Sequence, residues 1–479
     1  MTGPGRGFRA RIRGWVAAAL ALAALPALRA SALGPHEVLL LVNGESADSL
    51  VLGSAYARMR GIPQNNVVRV SVPCDKDGVP PYAITKEDFE RLVWKPAREA
   101  VAERGLDGRI LAWVYSCGFP ARVADAPDTV GRQGPSDLSI TGATIVGCQW
   151  PDADVVRAGA WVSPLFEGPA EQDGEPSGEN ASFDRARNVL LDRMPVPAAM
   201  LAWTGPRGLT QAEARAALKR SVAADRTAPV GTVWFAVRND VRSETRAWQY
   251  GAAAEAVRAH AGFSAAVLSD EPSETNGPVV GYMTGARSVS PLPATLAPGA
   301  YADHFTSWAA AFDQGGQMKE TAWLKGGAAF SSGTVTEPFA IWQKFPNAWL
   351  FPRMLDGATA MEAFYASVKC PLQQLPMGDP LSCPWAPEVK PAIEGADAAA
   401  PVSGAVTLRA SLPDGARARF TWLVDGRPAG DGPTLFWNTR SWEDGRHTVR
   451  LASRLLDAPF RPQGFVETAF TVRNGVRAP

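Results

Sequence analysis

From His36 to about Met377 the chain alternates short apolar runs with amphipathic stretches. His36 to Asn43 is a short apolar run of the kind that forms a strand buried on both faces. Ser46 caps the helix expected to follow through Arg60, Gly61 supplies a left-handed stop, and Pro63 prevents resumption. Asn66 to Val72 reads as the next strand, completing a βαβ unit whose crossover should be right-handed. Thr85 and Asp88 open a second helix that Pro96 should kink and Gly105 to Gly108 should end. Arg109 to Cys117 is strand-like.

Residues 121 to 187 are rich in Gly, Pro and Asp and predict a long insertion over one edge. It should hold short strands at Ile140 to Val146 and Ala158 to Val162, with a disordered tip around Glu167 to Asn180. Regular alternation resumes with a strand at Ala198 to Trp203 and a helix from the Thr210/Glu213 capping box to Ala223. Val230 to Val237, Ala265 to Leu268 and Pro278 to Thr284 are further strands, with a helix over Glu244 to His260. Two short runs, Ala300 to Ala302 and Ala328 to Phe330, each break into small polar residues. Pro338 predicts a helix start with Thr336 as its cap, and Thr359 with Glu362 repeats the capping box. Leu372 to Met377 is a last strand, closed by Gly378-Asp379-Pro380. Strand and helix in alternation mean an α/β fold, a mostly parallel doubly wound sheet over residues 33 to 386.

Composition shifts at Ala386, and Pro387 to Pro401 reads as a Pro/Ala-rich linker. Beyond it, Ala405 to Ser411, Ala416 to Val424, Thr434 to Asn438, Arg446 to Ser453 and Val466 to Val472 alternate with turn residues. They predict a small all-β, immunoglobulin-like sandwich over about 402 to 475. Trp422 reads as a core residue and His447 as structural.

The first 32 residues read differently. Four arginines between Arg6 and Arg13 precede the apolar run Trp15 to Leu28, and Ala30-Ser31-Ala32 offers small residues for cleavage. That is the pattern of a secretory signal peptide, and it predicts export to the periplasm or cell surface. Removing it lowers Lys plus Arg from 48 to 43 against 48 Asp plus Glu, a formal charge of −5. An acidic balance gives no reason to invoke nucleic acid or anionic membrane. No later segment reaches 18 apolar residues, so no transmembrane segment is expected after cleavage. Of the five cysteines, Cys370 and Cys383 flank the last strand and form the favoured disulfide pair, with Cys117 and Cys148 as a second candidate.

Candidate chemistry gathers between Gly299 and Glu337. If both short runs are parallel strands, Asp303, His304, Thr306 and Ser307 end one, and Ser331, Thr334, Thr336 and Glu337 end its neighbour. His304 is the one imidazole there and suits a general base or acid. With Ser307, Thr306 or Ser331 as nucleophile and Asp303 or Glu337 as orienter, it would make a hydrolase. Adjacent Asp303 and His304 would face opposite ways in a continuing strand, and a hydrogen-bonded structural histidine is the competing reading. Thr306, Thr334, Thr336 and Gln317 are candidate ligand contacts, and the threonines equally suit caps and turns. Trp161, Trp203, Trp308 and Trp323 suit a peptide or glycan groove, or simply core. Asp152-Ala-Asp154 lacks the ligands of a calcium loop, and no dinucleotide or P-loop fingerprint follows the first strand. No metal or cofactor is expected.

Four runs, Ala302-Asp303-His304-Phe305-Thr306-Ser307, Gly333-Thr334-Val335-Thr336-Glu337-Pro338, Lys344-Phe345-Pro346 and Gly378-Asp379-Pro380-Leu381, carry a resemblance. On them, His36 to Trp385 resembles an exported bacterial family found with exosortase sorting systems. The resemblance implies export and a shared fold, with no activity attached. More distantly, the layout is similar to gingipain and caspase cysteine peptidases, which carry a His-Gly after one strand and an Ala-Cys after the next. Here the imidazole position falls at Thr284-Gly285-Ala286-Arg287 and the thiol position at Asp303 or His304, so neither catalytic residue is present. The expected function is that of a binding or accessory protein for a surface protein, peptide or glycan, with the His304 hydrolase as the alternative.

Overall fold

The computed structural model describes residues 33–126, 130–131, 133–168, 196–269, 277–290, 292 and 296–475. The segment read as a signal peptide and most of the tip expected near Glu167 to Asn180 lie outside these residues. Among the described residues, the first part of the chain holds thirteen strands. They are β1 (Val38–Asn43), β2 (Val67–Val70), β3 (Ala83–Thr85), β4 (Ala112–Tyr115), β5 (Arg122–Ala124), β6 (Leu138–Ser139) and β7 (Ala198–Met200). Then come β8 (Thr232–Ala236), β9 (Ser264–Leu268), β10 (Val279–Gly285), β11 (Leu296–Phe305), β12 (Phe330–Thr334) and β13 (Gln374–Gly378). Ten of them form one sheet in the order β2-β1-β4-β7-β13-β12-β11-β10-β8-β9. Eight of its nine neighbouring pairs are parallel, and β12 against β13 is antiparallel. β3, β5 and β6 make a small separate sheet.

Local chemistry accounts for the element ends. The Ser46 side chain accepts from Ser49 N, and Gly61, at φ 66°, stops the helix Ala47–Arg60. Thr85 caps its helix as expected. Ahead of Pro96 the helix loosens into a π-helical stretch at Glu90–Trp94, and Pro96 lies in the first turn of the helix Lys95–Glu103. The strands expected at Ile140 to Val146 and Ala158 to Val162 are instead a helix Ile140–Ile145 and a helix Ala153–Ala158. Ser139 caps the first of these, and Gly159 at φ 64° ends the second. Short apolar runs do not distinguish a buried strand from a buried helix, and the cap decided it. The helix expected over Glu244 to His260 is two, Val241–Ala247 and Tyr250–Arg258.

Past Trp385, β14 (Ala392–Glu394), β15 (Ala405–Ser411) and β18 (Thr434–Asn438) form one antiparallel sheet. A second is built from β16 (Ala418–Val424), β17 (Arg427–Asp431), β19 (Gly445–Leu455) and β20 (Gln463–Val472). Trp422, Trp437 and Leu451 sit in a core of their own between them. The stretch read as linker is not free chain, because Ala392–Glu394 is a strand and Val389 and Pro391 are buried. The two units meet closely. Arg454 of β19 pairs with buried Glu37, Gln463 Nε2 donates to the same carboxylate at 2.7 Å, and Phe460 packs into the main core.

Candidate functional site

β11 does not stop at Ala302 but runs on to Phe305, and β12 includes Ser331, Ser332 and Thr334. Asp303, His304, Ser331 and Thr334 therefore lie inside the sheet, and Thr306 and Thr336, just beyond it, are buried as they are. The two runs are neighbours: β11 and β12 pair at Tyr301 and Phe330, and Thr334 Oγ1 donates to Thr306 O at 3.0 Å and Ser307 O at 2.9 Å.

Strand alternation sends Asp303 and His304 to opposite faces. On one face Arg246 grips Asp303 with two bonds, Nη2 to Oδ1 at 2.6 Å and Nη1 to Oδ2 at 3.2 Å. The same guanidinium donates to Thr284 O at 2.6 Å and Pro346 O at 3.1 Å. Burial pushes the Asp303 carboxyl up and Arg246 pulls it back, leaving it raised. On the other face His304 Nδ1 accepts from Trp323 Nε1 at 2.9 Å. Its Nε2 therefore carries the proton and donates to Met318 O at 3.2 Å. Burial lowers the imidazole to about 4, so it is neutral at physiological pH. Neither ring nitrogen has a carboxylate or hydroxyl partner, so His304 lacks both the orienter and the nucleophile of a catalytic base.

The remaining candidates scatter into local roles. Thr306 Oγ1 and the Trp308 amide both donate to Gln317 Oε1, at 2.7 and 2.9 Å, which ties down the loop after β11. Ser307 is half-buried. Thr336 caps no helix: its hydroxyl donates to Gly134 O at 2.8 Å, and no helix begins at Pro338. Glu337 instead accepts from the Phe339 amide at 3.0 Å, closing a tight turn in which Phe339 takes φ 62°. Cys370 and Cys383 are free thiols, as are Cys74, Cys117 and Cys148. The five-residue β13 lies between Cys370 and Cys383 in the chain, and both thiols are buried.

The motif runs meet in buried polar bonds that sequence reading did not foresee. Arg246 joins Asp303 to Pro346 O. Asp379 of the Gly-Asp-Pro turn accepts from Tyr56 OH at 2.8 Å and pairs with Arg60, which also pairs with Asp225. Lys344 Nζ donates to Gln373 Oε1 at 2.8 Å, and burial lowers it to about 8. Glu320, beside β12, is fully buried with neither carboxylate oxygen hydrogen-bonded among the described residues. Burial raises its pKa well above the ordinary carboxylate value. Arginines and acids far apart in sequence carry no periodic signal, which is why these pairs were invisible beforehand.

A cleft of about 780 Å³ opens between the α/β unit and the sandwich, and His304, Asp303, Ser307 and Glu337 are not among the residues that line it. One wall holds Arg58, Arg60, Asp225 and Arg226, the other Pro462 to Glu467 of the β20 arm, and Val389 to Pro391 close one side. Arg226 Nη2 bridges the walls to Gln463 O at 2.8 Å. The size and the position between two units are those of ligand sites. Among the described residues, no helix is long and apolar enough to cross a membrane, and no cluster of three or more His, Cys, Asp or Glu is placed to hold a metal.

No protein family matches the sequence, and no curated protein matches it either. Among solved structures, the endo-beta-1,4-mannanase from Thermotoga petrophila aligns over 24% of each chain at 12% identity and a TM-score of 0.16, too slight to show a shared fold.

Proposed function

We propose that this is an exported protein on a gingipain- or caspase-like frame without the cysteine peptidase dyad, acting as a binding or accessory protein in the periplasm or at the cell surface. The observation that carries the reading is the state of β10 and β11. Where such peptidases hold an imidazole and a thiol, this chain has Ala286 and Arg287 just past β10, and Asp303 and His304 in β11, the last two engaged by Arg246, Trp323 and Met318 O. Cys117 gives cysteine chemistry no support, because burial pushes its thiol up to about 12, far from the thiolate a nucleophile needs. A surface protein, peptide or glycan is the proposed partner, and the exosortase-associated family that the four motif runs resemble fits such a role. The cleft between the two units is the proposed binding site, since it holds mixed charge and apolar walls in one concavity.

The test is binding of the mature chain to peptide and glycan arrays, compared with a Val389→Trp variant that fills the cleft. The reading expects retained partners that the variant loses. Binding that is unchanged in the variant would move the site elsewhere.

A further inference from the structure

The point where the mature chain would begin is not a loose end. Leu33 is 4% exposed and belongs to the main hydrophobic core, and the next amide, Gly34 N, donates to Glu37 Oε2 at 3.0 Å. The backbone nitrogen of Leu33 faces the carboxylate of Glu362.

Glu362 is 1% exposed and stands in the first turn of the helix Ala360–Ser367. Its Oε2 accepts from Thr359 N at 2.9 Å and Thr359 Oγ1 at 2.8 Å, which completes the capping box. Its Oε1 has no hydrogen bond among the described residues. The charged side chain that acts on it is Arg454, whose guanidinium is already paired with Glu37. A capping box works as well with glutamine as with glutamate, so the cap alone does not call for a buried negative charge. Burial without a dedicated cation pushes Glu362 up to about 8.

We infer that cleavage after Ala32 supplies the missing cation: the new α-ammonium of Leu33 docks on Glu362 and locks the start of the mature chain into the core. The covalent step is ordinary amide hydrolysis. Water adds across the Ala32–Leu33 bond, the oxygen leaving with Ala32 as a carboxylate and the Leu33 nitrogen gaining hydrogen, then a proton. Before cleavage that nitrogen is a neutral amide with one hydrogen. Afterwards it is an ammonium with three, with an ordinary pKa of about 8, and it can bond the open Oε1. The full stability of the fold thus arrives only once the leader is gone, when the chain is already across the membrane. The inference rests on the export reading for its cleavage site, but not on the binding role.

Four purified chains test it: the mature chain beginning with a free Leu33, the same chain extended by Gly-Ser, and both again with Glu362→Gln. The free-amine chain should melt higher than the extended one, and Glu362→Gln should abolish that difference. Native Leu33 α-amine should react with an amine-selective reagent more slowly than in unfolded protein. Equal melting of the free and extended chains overturns the lock. So does a difference that survives Glu362→Gln, since it would then be steric rather than electrostatic. Mass spectrometry of protein exported from a bacterial host should find Leu33 at the N-terminus. A different first residue overturns the leader boundary, and equal melting with Leu33 first overturns the lock alone.

Discussion

Asp303 and His304 are adjacent in sequence and part of one strand, yet they belong to two separate buried networks. Removing one partner of a buried ion pair leaves the other charge uncompensated, at a cost of about 3–5 kcal/mol. Asp303→Ala should therefore lower the denaturation free energy by that amount, read from urea unfolding, because it strands Arg246 against Thr284 O and Pro346 O. A loss below about 1 kcal/mol would mean the pair is solvated, contrary to its burial. His304 makes a prediction in pH. Its folded value of about 4 lies below the unfolded 6.5, so the folded state binds fewer protons. Stability from this group is complete above pH 6.5 and is lost as pH falls towards 4. Buried His36, also lowered to about 4, adds to the same window. A His304→Gln variant should show a shallower fall in melting temperature between pH 6.5 and pH 4 than the parent. Parallel curves would show that the imidazole is not held neutral.

At the scale of elements, sequence pattern carried most of the α/β order. Continuous apolar runs found β1, β4, β8, β9 and β10, and the Thr210 and Thr359 capping boxes marked the helix starts. The sandwich strands were legible from alternation and Asp-Gly turns; Ala405–Ser411 and Thr434–Asn438 match residue for residue. What failed has a common cause. Short apolar runs took whichever form their neighbours allowed, so Ile140–Ile145 became a helix docked on β13. Pro338 follows Thr336 as a helix start would, but Thr336 bonds Gly134 O across the fold instead. The site was misread because a polar break in an apolar run was taken as a strand end, when buried arginine and tryptophan partners let the strand continue. The docking of Ile140–Ile145 depends on Gly142, where a Cβ would stand 1.9 Å from Leu372 O. Backbone cannot yield there as a flexible side chain could. Gly142→Ala should cost on the order of 1–3 kcal/mol as overpacking, measured by thermal or urea unfolding. A neutral effect would contradict this close packing.

For the whole molecule, the polar residues of the four motif runs are spent on holding elements together. Arg246 clamps β11 to the Pro346 turn, and Arg60 ties the first helix to Asp379 and Asp225. A cleft of about 780 Å³ lies between the α/β unit and the sandwich. Turnover is the measurement that tests the proposed binding role most directly. The full mature chain should be incubated with a diverse peptide library and a panel of simple esters, with and without iodoacetamide, beside His304→Gln. The account predicts no product above buffer in any arm. Cleavage that disappears on alkylation or in His304→Gln would contradict it, and would assign a catalytic role to the thiol or the imidazole respectively.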